Sequence, residues 1–317
     1  NRKYAVTCNS GTDALSYSLM SMGIRPGDEV ITSNFSWIST ASCISMVGAT
    51  PVFCDIDLDN YHLSYNSVKR MISNKTKAIV YPHLFGNMSD MEKIKQLGIP
   101  IIEDACQSLG SSYNGVVAGS IGDISTLSFN ANKVVAGISG GGAILTDEED
   151  RAEFFKKIRK HGNNEFLGFN SKMLLFNAEV INFRLKKLNE YIEGRQRVAK
   201  QYDEQLKDCV TIQEVPDGLN HNYHKYVIRL QNKEVRDRLK DRLGANVHYP
   251  KPIPENKMYK DIEHKKDNLF IAKSVCDTVL TLPIHPYMKK DEVNKIINTI
   301  LIFLEHENSK FVNNMKR

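Results

Sequence analysis

Hydrophobic and polar positions along the chain follow two regimes. Up to about Asp147, short apolar runs recur between stretches of helical periodicity. Tyr4-Ala5-Val6, Glu29-Val30-Ile31-Thr32, Pro51-Val52-Phe53-Cys54-Asp55, Lys77-Ala78-Ile79-Val80-Tyr81, Ile99-Pro100-Ile101-Ile102-Glu103, Thr126-Leu127-Ser128-Phe129 and Ala143-Ile144-Leu145-Thr146 read as strands. Residues 14–22 and 39–46 read as helices. Continuous β-rich runs separated by helices predict an α/β fold with a mostly parallel sheet covered on both faces. After Asp147 the polar positions multiply. Residues 148–160 predict a charged amphipathic helix, and 176–206 predict one or two long helices with Lys, Arg and Glu outward. Residues 223–230 alternate like a strand, while 233–243 and 291–305 read as helices. This pattern predicts a large domain over residues 1–200 and a smaller α+β domain over 201–317.

Composition narrows the class. A chain of 317 residues with 41% hydrophobic and 25% charged positions buries a large core and is not disordered. No run approaches the ~20 apolar residues that span a bilayer, so no membrane segment is expected. The 42 basic and 37 acidic residues leave a net charge of +5, with the signs interspersed. A dedicated nucleic-acid protein is therefore not indicated. The cysteines at 8, 43, 54, 106, 209 and 276 lack CxxC or zinc spacing, and no metal site is expected. Thiols in apolar runs, with no signal peptide, fit a cytoplasmic protein. The chain opens at Asn1 and enters a strand-like run almost at once, so an upstream segment is expected to be missing.

Four places carry candidate chemistry. Ile101-Ile102-Glu103-Asp104 ends a strand, where ligands bind in parallel sheets. Taken alone, Asp104 reads first as a helix N-cap. Ser128-Phe129-Asn130-Ala131-Asn132-Lys133 precedes Gly137 and Gly140-Gly141-Gly142, and Lys133 reads as a Schiff-base lysine or an exposed loop lysine. Asn9-Ser10-Gly11-Thr12-Asp13 is a strand-to-helix junction whose backbone N–H groups suit a phosphate, or which Ser10 or Thr12 simply caps. It lacks the P-loop and GxGxxG patterns. Trp37, the single tryptophan, follows a strand and either stacks on a planar ring or packs in the core. Together they make a phosphate cradle, a stacking ring, an acid and an amine. Pyridoxal phosphate needs that set, with a carboxylate to keep its ring nitrogen protonated.

The chain resembles the DegT/DnrJ/StrS family of nucleotide-sugar aminotransferases. The resemblance rests on Ser10-Gly11-Thr12-Asp13-Ala14-Leu15, Pro26-Gly27-Asp28-Glu29-Val30-Ile31, Gly48-Ala49-Thr50-Pro51-Val52, Lys75-Thr76-Lys77-Ala78-Ile79, Phe85-Gly86 with Asp90, Glu103-Asp104-Ala105-Cys106-Gln107-Ser108, and Ser128 through Lys133 to Gly142. Gly168-Phe169-Asn170-Ser171-Lys172-Met173 and His248-Tyr249-Pro250 extend it over nearly the whole chain. It implies the type I aminotransferase fold. Lys133 would bind the cofactor aldehyde, Asp104 would pair with the pyridine nitrogen, and Gln107 would lie near the phenolic oxygen. Trp37 would stack on the ring, and Gly11, Thr12 and Ser128 would hold the phosphate. Asn170 would reach the phosphate of the neighbouring subunit, which implies a homodimer with shared active sites. Lys172 stands where the family commonly has Arg.

The resemblance further implies transfer of an amino group from glutamate to a nucleotide-linked sugar. Asn132-Lys133 and the glycine loop lean toward a 4-keto-6-deoxysugar. A 3-keto-6-deoxysugar is the alternative, compatible with His248-Tyr249-Pro250 and Asn170-Ser171. His248, Tyr249 and His161 are candidate substrate contacts. A related branch dehydrates its sugar with His in place of the lysine, and the presence of Lys133 favours transamination. The product would feed O-antigen, capsule, glycan or antibiotic sugar assembly.

Overall fold

The computed structural model describes residues 2–88 and 91–315, with side chains omitted at 308 and 310–315. Asp90 lies outside the described residues. Seven strands match the predicted runs: β1 (Tyr4–Cys8), β2 (Glu29–Ser33), β3 (Thr50–Cys54), β4 (Thr76–Pro82), β5 (Ile101–Asp104), β6 (Ile124–Ser128) and β7 (Gly142–Thr146). With the short strand Lys265–Lys266 they form one sheet, ordered β1-β7-β6-β5-β4-β2-β3 and then Lys265–Lys266. Pairs from β6 to the Lys265–Lys266 edge are parallel, and β7 runs antiparallel to both β1 and β6. The carboxyl ends of β1, β5 and β6 therefore meet the start of β7 at one edge.

The strands lack alternation because both faces are covered. Val30, Val80 and Ile102 pack with Leu15, Leu19 and Ile44 on one side. Ile31, Ile79 and Ile101 pack with Val68, Met91 and Ile94 on the other. The first face is covered by α1 (Gly11–Ser21) and α2 (Ser39–Met46).

The run at 176–206 resolves into two helices, Leu175–Leu185 and Leu188–Leu206. The second helix carries Val198, Tyr202 and Leu206 into another core. There they meet a three-stranded antiparallel sheet of β8 (Thr211–Ile212), β9 (Tyr226–Arg229) and β10 (Val279–Leu282). The predicted strand at 223–230 starts only at Tyr226. Tyr223 has φ 47°, held by His221 Nδ1 accepting from its backbone N–H at 2.8 Å, while Asn222 Oδ1 accepts from His224 N–H at 2.8 Å. These bonds replace the strand ladder just before Lys225. A cluster of Phe35, Phe85, Val227, Tyr249, Ala272 and Val275 packs the small sheet onto the large one beside that bend.

Candidate active site

At the sheet edge lies a cavity of about 410 Å3. It is lined by Gly11, Thr12, Trp37, Asp104, Gln107, Ser128, Lys133, His248 and Tyr249, so nine of the sequence-derived candidates come together. Two do not. His161 is an exposed turn residue whose backbone N–H donates to Phe169 O at 2.8 Å. Asn170 is exposed and bridges to Lys160, outside this chain's cavity.

The floor is built by close approach. A Cβ on Gly11 would lie 2.9 Å from Ser128 Cβ, and one on Gly142 would lie 2.2 Å from Ser10 O. Only residues without side chains let β1, β6 and β7 converge this tightly. Ser10 does cap α1, its hydroxyl accepting from Asp13 N–H at 3.0 Å. Capping thus takes the Asp13 N–H and leaves the start of the helix facing Ser128 across the cavity. Thr12 Oγ1 donates to Ser39 Oγ at 2.9 Å, tying α1 to α2.

Asp104 is held on two sides. Thr40 Oγ1 donates to its Oδ2 at 2.8 Å, and Cys106 N–H donates to its Oδ1 at 3.2 Å. Thr40 is in turn bonded to Ser36 at 2.9 Å. Gln107 is oriented likewise: its Oε1 accepts from Phe85 N–H at 3.0 Å and its Nε2 donates to Tyr249 OH at 3.2 Å. Burial pushes the Tyr249 phenol up, against the Gln107 hydrogen bond. Trp37 is 52% exposed on the cavity wall, its ring 6.4 Å from that of Tyr249, so core packing is not its role.

Lys133 follows β6 in a turn closed by its N–H to Asn130 O at 2.9 Å. Burial of its amine lowers its pKa, while Cys106 and Asp104 pull the other way. A less basic amine is the form that attacks a carbonyl. His248 falls to about 4, chiefly through burial and then through Lys225, and its Nδ1 is 2.9 Å from Thr281 Oγ1.

Sequence reading missed several contributors. Thr40 carried one available signal: it is a hydroxyl residue in the first turn of α2, four positions after the hydroxyl of Ser36 to which it bonds. Asn177 carried none. It is buried, its Oδ1 accepts from Ile138 N–H at 2.7 Å, and its Nδ2 donates to Gly140 O at 2.8 Å. It fixes the glycine loop at the cavity mouth from a helix far away in sequence. His224 and Lys225 also line the cavity, reached through the bend before β9.

Residues 1–301 match the DegT/DnrJ/EryC1/StrS aminotransferase family. The chain belongs to that family. It is 33% identical over 319 residues to a pleiotropic regulatory protein of Geobacillus stearothermophilus, across 96% of this chain and 86% of the relative. It is equally 33% identical over 312 residues to the UDP-N-acetyl-3-dehydro-alpha-D-glucosamine 3-aminotransferase of Acidithiobacillus ferrooxidans, across 94% and 83%. Its fold superposes on S. venezuelae DesV, solved with a ketimine intermediate, with a TM-score of 0.91, 29% identity and coverage of 96% and 86%. The fold is the type I aminotransferase fold, and the cofactor of this aminotransferase is pyridoxal phosphate. The residues fit that group. Gly11 leaves the floor beside Ser128 open, Asp104 is fixed with its carboxylate on the cavity, and Lys133 presents a desolvated amine. Among the described residues no group of His, Cys, Asp and Glu is arranged to hold a metal ion. Nor, among them, is any helix long and apolar enough to cross a membrane.

Proposed function

We propose that this aminotransferase moves an amino group from glutamate to the keto carbon of a nucleotide-linked deoxysugar. The observation that carries this reading is the convergence of Lys133, Asp104 and the Gly11–Ser128 floor on one cavity. Pyridoxal phosphate supplies an electron sink for the carbon whose proton is exchanged. The chain's own residues do the rest. Asp104, held by Thr40 and Cys106, keeps its carboxylate aimed where a ring-nitrogen proton needs an anionic partner. Gly11, Thr12 and Ser128 would hold the phosphate, Trp37 would stack on the ring, and Gln107 would lie near the phenolic oxygen, all of them lining the same cavity. Lys133 Nζ, less basic than a free lysine, takes and returns the substrate proton.

We propose carbon 3 of the sugar as the aminated position, a reading supported by the Acidithiobacillus relative's being named a 3-aminotransferase. His248 and Tyr249 on the cavity wall are compatible with it. The 4-keto substrate expected from sequence is the second reading, favoured by Asn132, Ser139 and Gly140 at the mouth. A homodimer with shared sites is supported by an exposed apolar stretch of Leu167, Leu174, Leu175, Phe176 and Phe183. Asn170 lies within this stretch and outside its own cavity. A cytoplasmic setting is supported by six free cysteines, four of them buried.

The test has two parts. Protein loaded with pyridoxal phosphate shows a lysine-linked absorbance band that Lys133→Ala abolishes. No band in the wild type sinks the enzyme reading. Assays with glutamate and 3-keto or 4-keto nucleotide sugars then locate the amine. Turnover of sugar without any amino donor would replace transamination with dehydration.

A further inference from the structure

The cavity holds a second lysine that the chemistry above leaves unused. Lys225 stands at the bend before β9, its N–H donating to Phe85 O at 3.0 Å. Side chains on this segment alternate. Tyr226 and Ile228 face the core of the small sheet, while Val227 packs with Phe85 and Tyr249 on the opposite side. Lys225, two residues before Val227, therefore projects to the cavity side, where it lines the wall beside Lys133 and His248. Arg195 braces the approach from behind, donating to Tyr223 O at 3.0 Å, His224 O at 3.4 Å and Ile284 O at 3.1 Å.

Nothing in the cavity balances this charge. No carboxylate lies within ion-pair distance of Lys225 among the described residues. Asp104 is the one acid among the described residues lining the cavity, and it is held by Thr40 and Cys106. Lys225 instead faces other basic groups. Burial, then repulsion from Lys133 and Arg195, lowers it to about 8. A half-buried ammonium among like charges costs free energy unless an anion joins it. The cofactor phosphate belongs at the Gly11–Ser128 floor, so the missing anion is a separate one.

We propose that Lys225 is a carboxylate-binding point, its ammonium pairing with a carboxylate of the amino donor or of an acidic acceptor sugar. The cavity, at about 410 Å3, is near the small end of ligand sites. It takes the cofactor and the reacting end of a substrate, so Lys225 reads a group close to the reacting carbon while the nucleotide extends outward. This inference rests on the aminotransferase reading and adds a substrate determinant to it.

The test uses cofactor-loaded enzyme, Lys225→Met, Lys225→Gln as a second neutral variant should the first not fold, and Lys225→Arg. Glutarate binding is measured by calorimetry. The donor half-reaction with glutamate, sugar absent, is followed by cofactor absorbance. KM is measured for a ketosugar nucleotide with a carboxylate and one without. A charge-assisted contact predicts about 10- to 100-fold weaker glutarate binding and a matching rise in half-saturating glutamate in the neutral variants. Limiting rates should change less than about 3-fold, and Lys225→Arg should restore most of the affinity. That pattern assigns the donor carboxylate. Unchanged glutarate and glutamate, with KM raised only for the acidic sugar, assigns the sugar carboxylate. Unchanged affinities throughout overturn the proposal. So do reduced limiting rates without affinity changes, or an arginine variant as weak as methionine. Wild type that shows no glutamate half-reaction counts against the donor assignment in the proposed function. The glutarate comparison still decides on Lys225.

Discussion

Glu103 and Asp104 are neighbours at the end of β5, yet they point to opposite sides of the sheet. Asp104 faces the cavity. Glu103, fully buried, gathers donors: His83 Nε2 at 3.0 Å, Gly119 N–H at 2.5 Å, Ile121 N–H at 2.9 Å, Gly122 N–H at 3.1 Å and Ser125 Oγ at 3.1 Å. Burial alone would raise its pKa, but His83 and the backbone donors pull it from 4.5 to about 2. The folded-state value is depressed. Its stabilising contribution is therefore complete above pH 4.5 and is lost as pH falls through about 2. That interval corresponds to roughly 3 kcal/mol. In Glu103→Gln the amide nitrogen would meet donors that now point at oxygen, leaving buried N–H groups without acceptors. The expected loss is about 3–5 kcal/mol. For a chain this size that lowers Tm by roughly 5–8 °C at neutral pH. Thermal unfolding by circular dichroism measures it, and the gap from wild type should narrow as pH falls below 4.5. The cofactor band, read below the transition, should persist. A variant that melts with wild type but cannot form the band would refute the reasoning, because Glu103 would then belong to the site.

Other changes have equally specific outcomes. Thr40→Val removes the bond that aims Asp104; it should cost roughly 1–2 kcal/mol and lower kcat about 10-fold with little change in KM. Asn177→Ala frees the glycine loop and should speed proteolysis between residues 137 and 141 while costing about 2 kcal/mol in urea unfolding. Gly11→Ala places a methyl 2.9 Å from Ser128 Cβ, so cofactor affinity by dialysis should fall at least about 10-fold, with glutamate KM a secondary effect.

Much of the fold was legible locally. β2 to β5 read from apolar runs because strands buried on both faces have no alternation to hide. Their β-branched residues are long enough in series to mark each strand separately. The three-stranded sheet of β8, β9 and β10 was harder. Its strands are short, and one begins late because His221 and Asn222 bind the backbone that would otherwise extend it.

The site divides in the same way. Residues flanking the strand ends, Gly11, Asp104, Ser128 and Lys133, stood out because a parallel sheet delivers every strand's carboxyl end to one edge. The local sequence thus determined which groups reach that edge. It could not show that Glu103 turns inward as a hydrogen-bond hub while Asp104 turns out, since adjacent carboxylates look alike until a face is assigned. Nor could it show Asn177 holding a loop 37 residues away, or Lys225 arriving from another sheet beside Lys133. Those are contacts between distant segments, set by how helices and sheets pack. Only the tertiary structure decides them, because burial, pairing and charge balance belong to the neighbours a side chain finds rather than to the residues it follows.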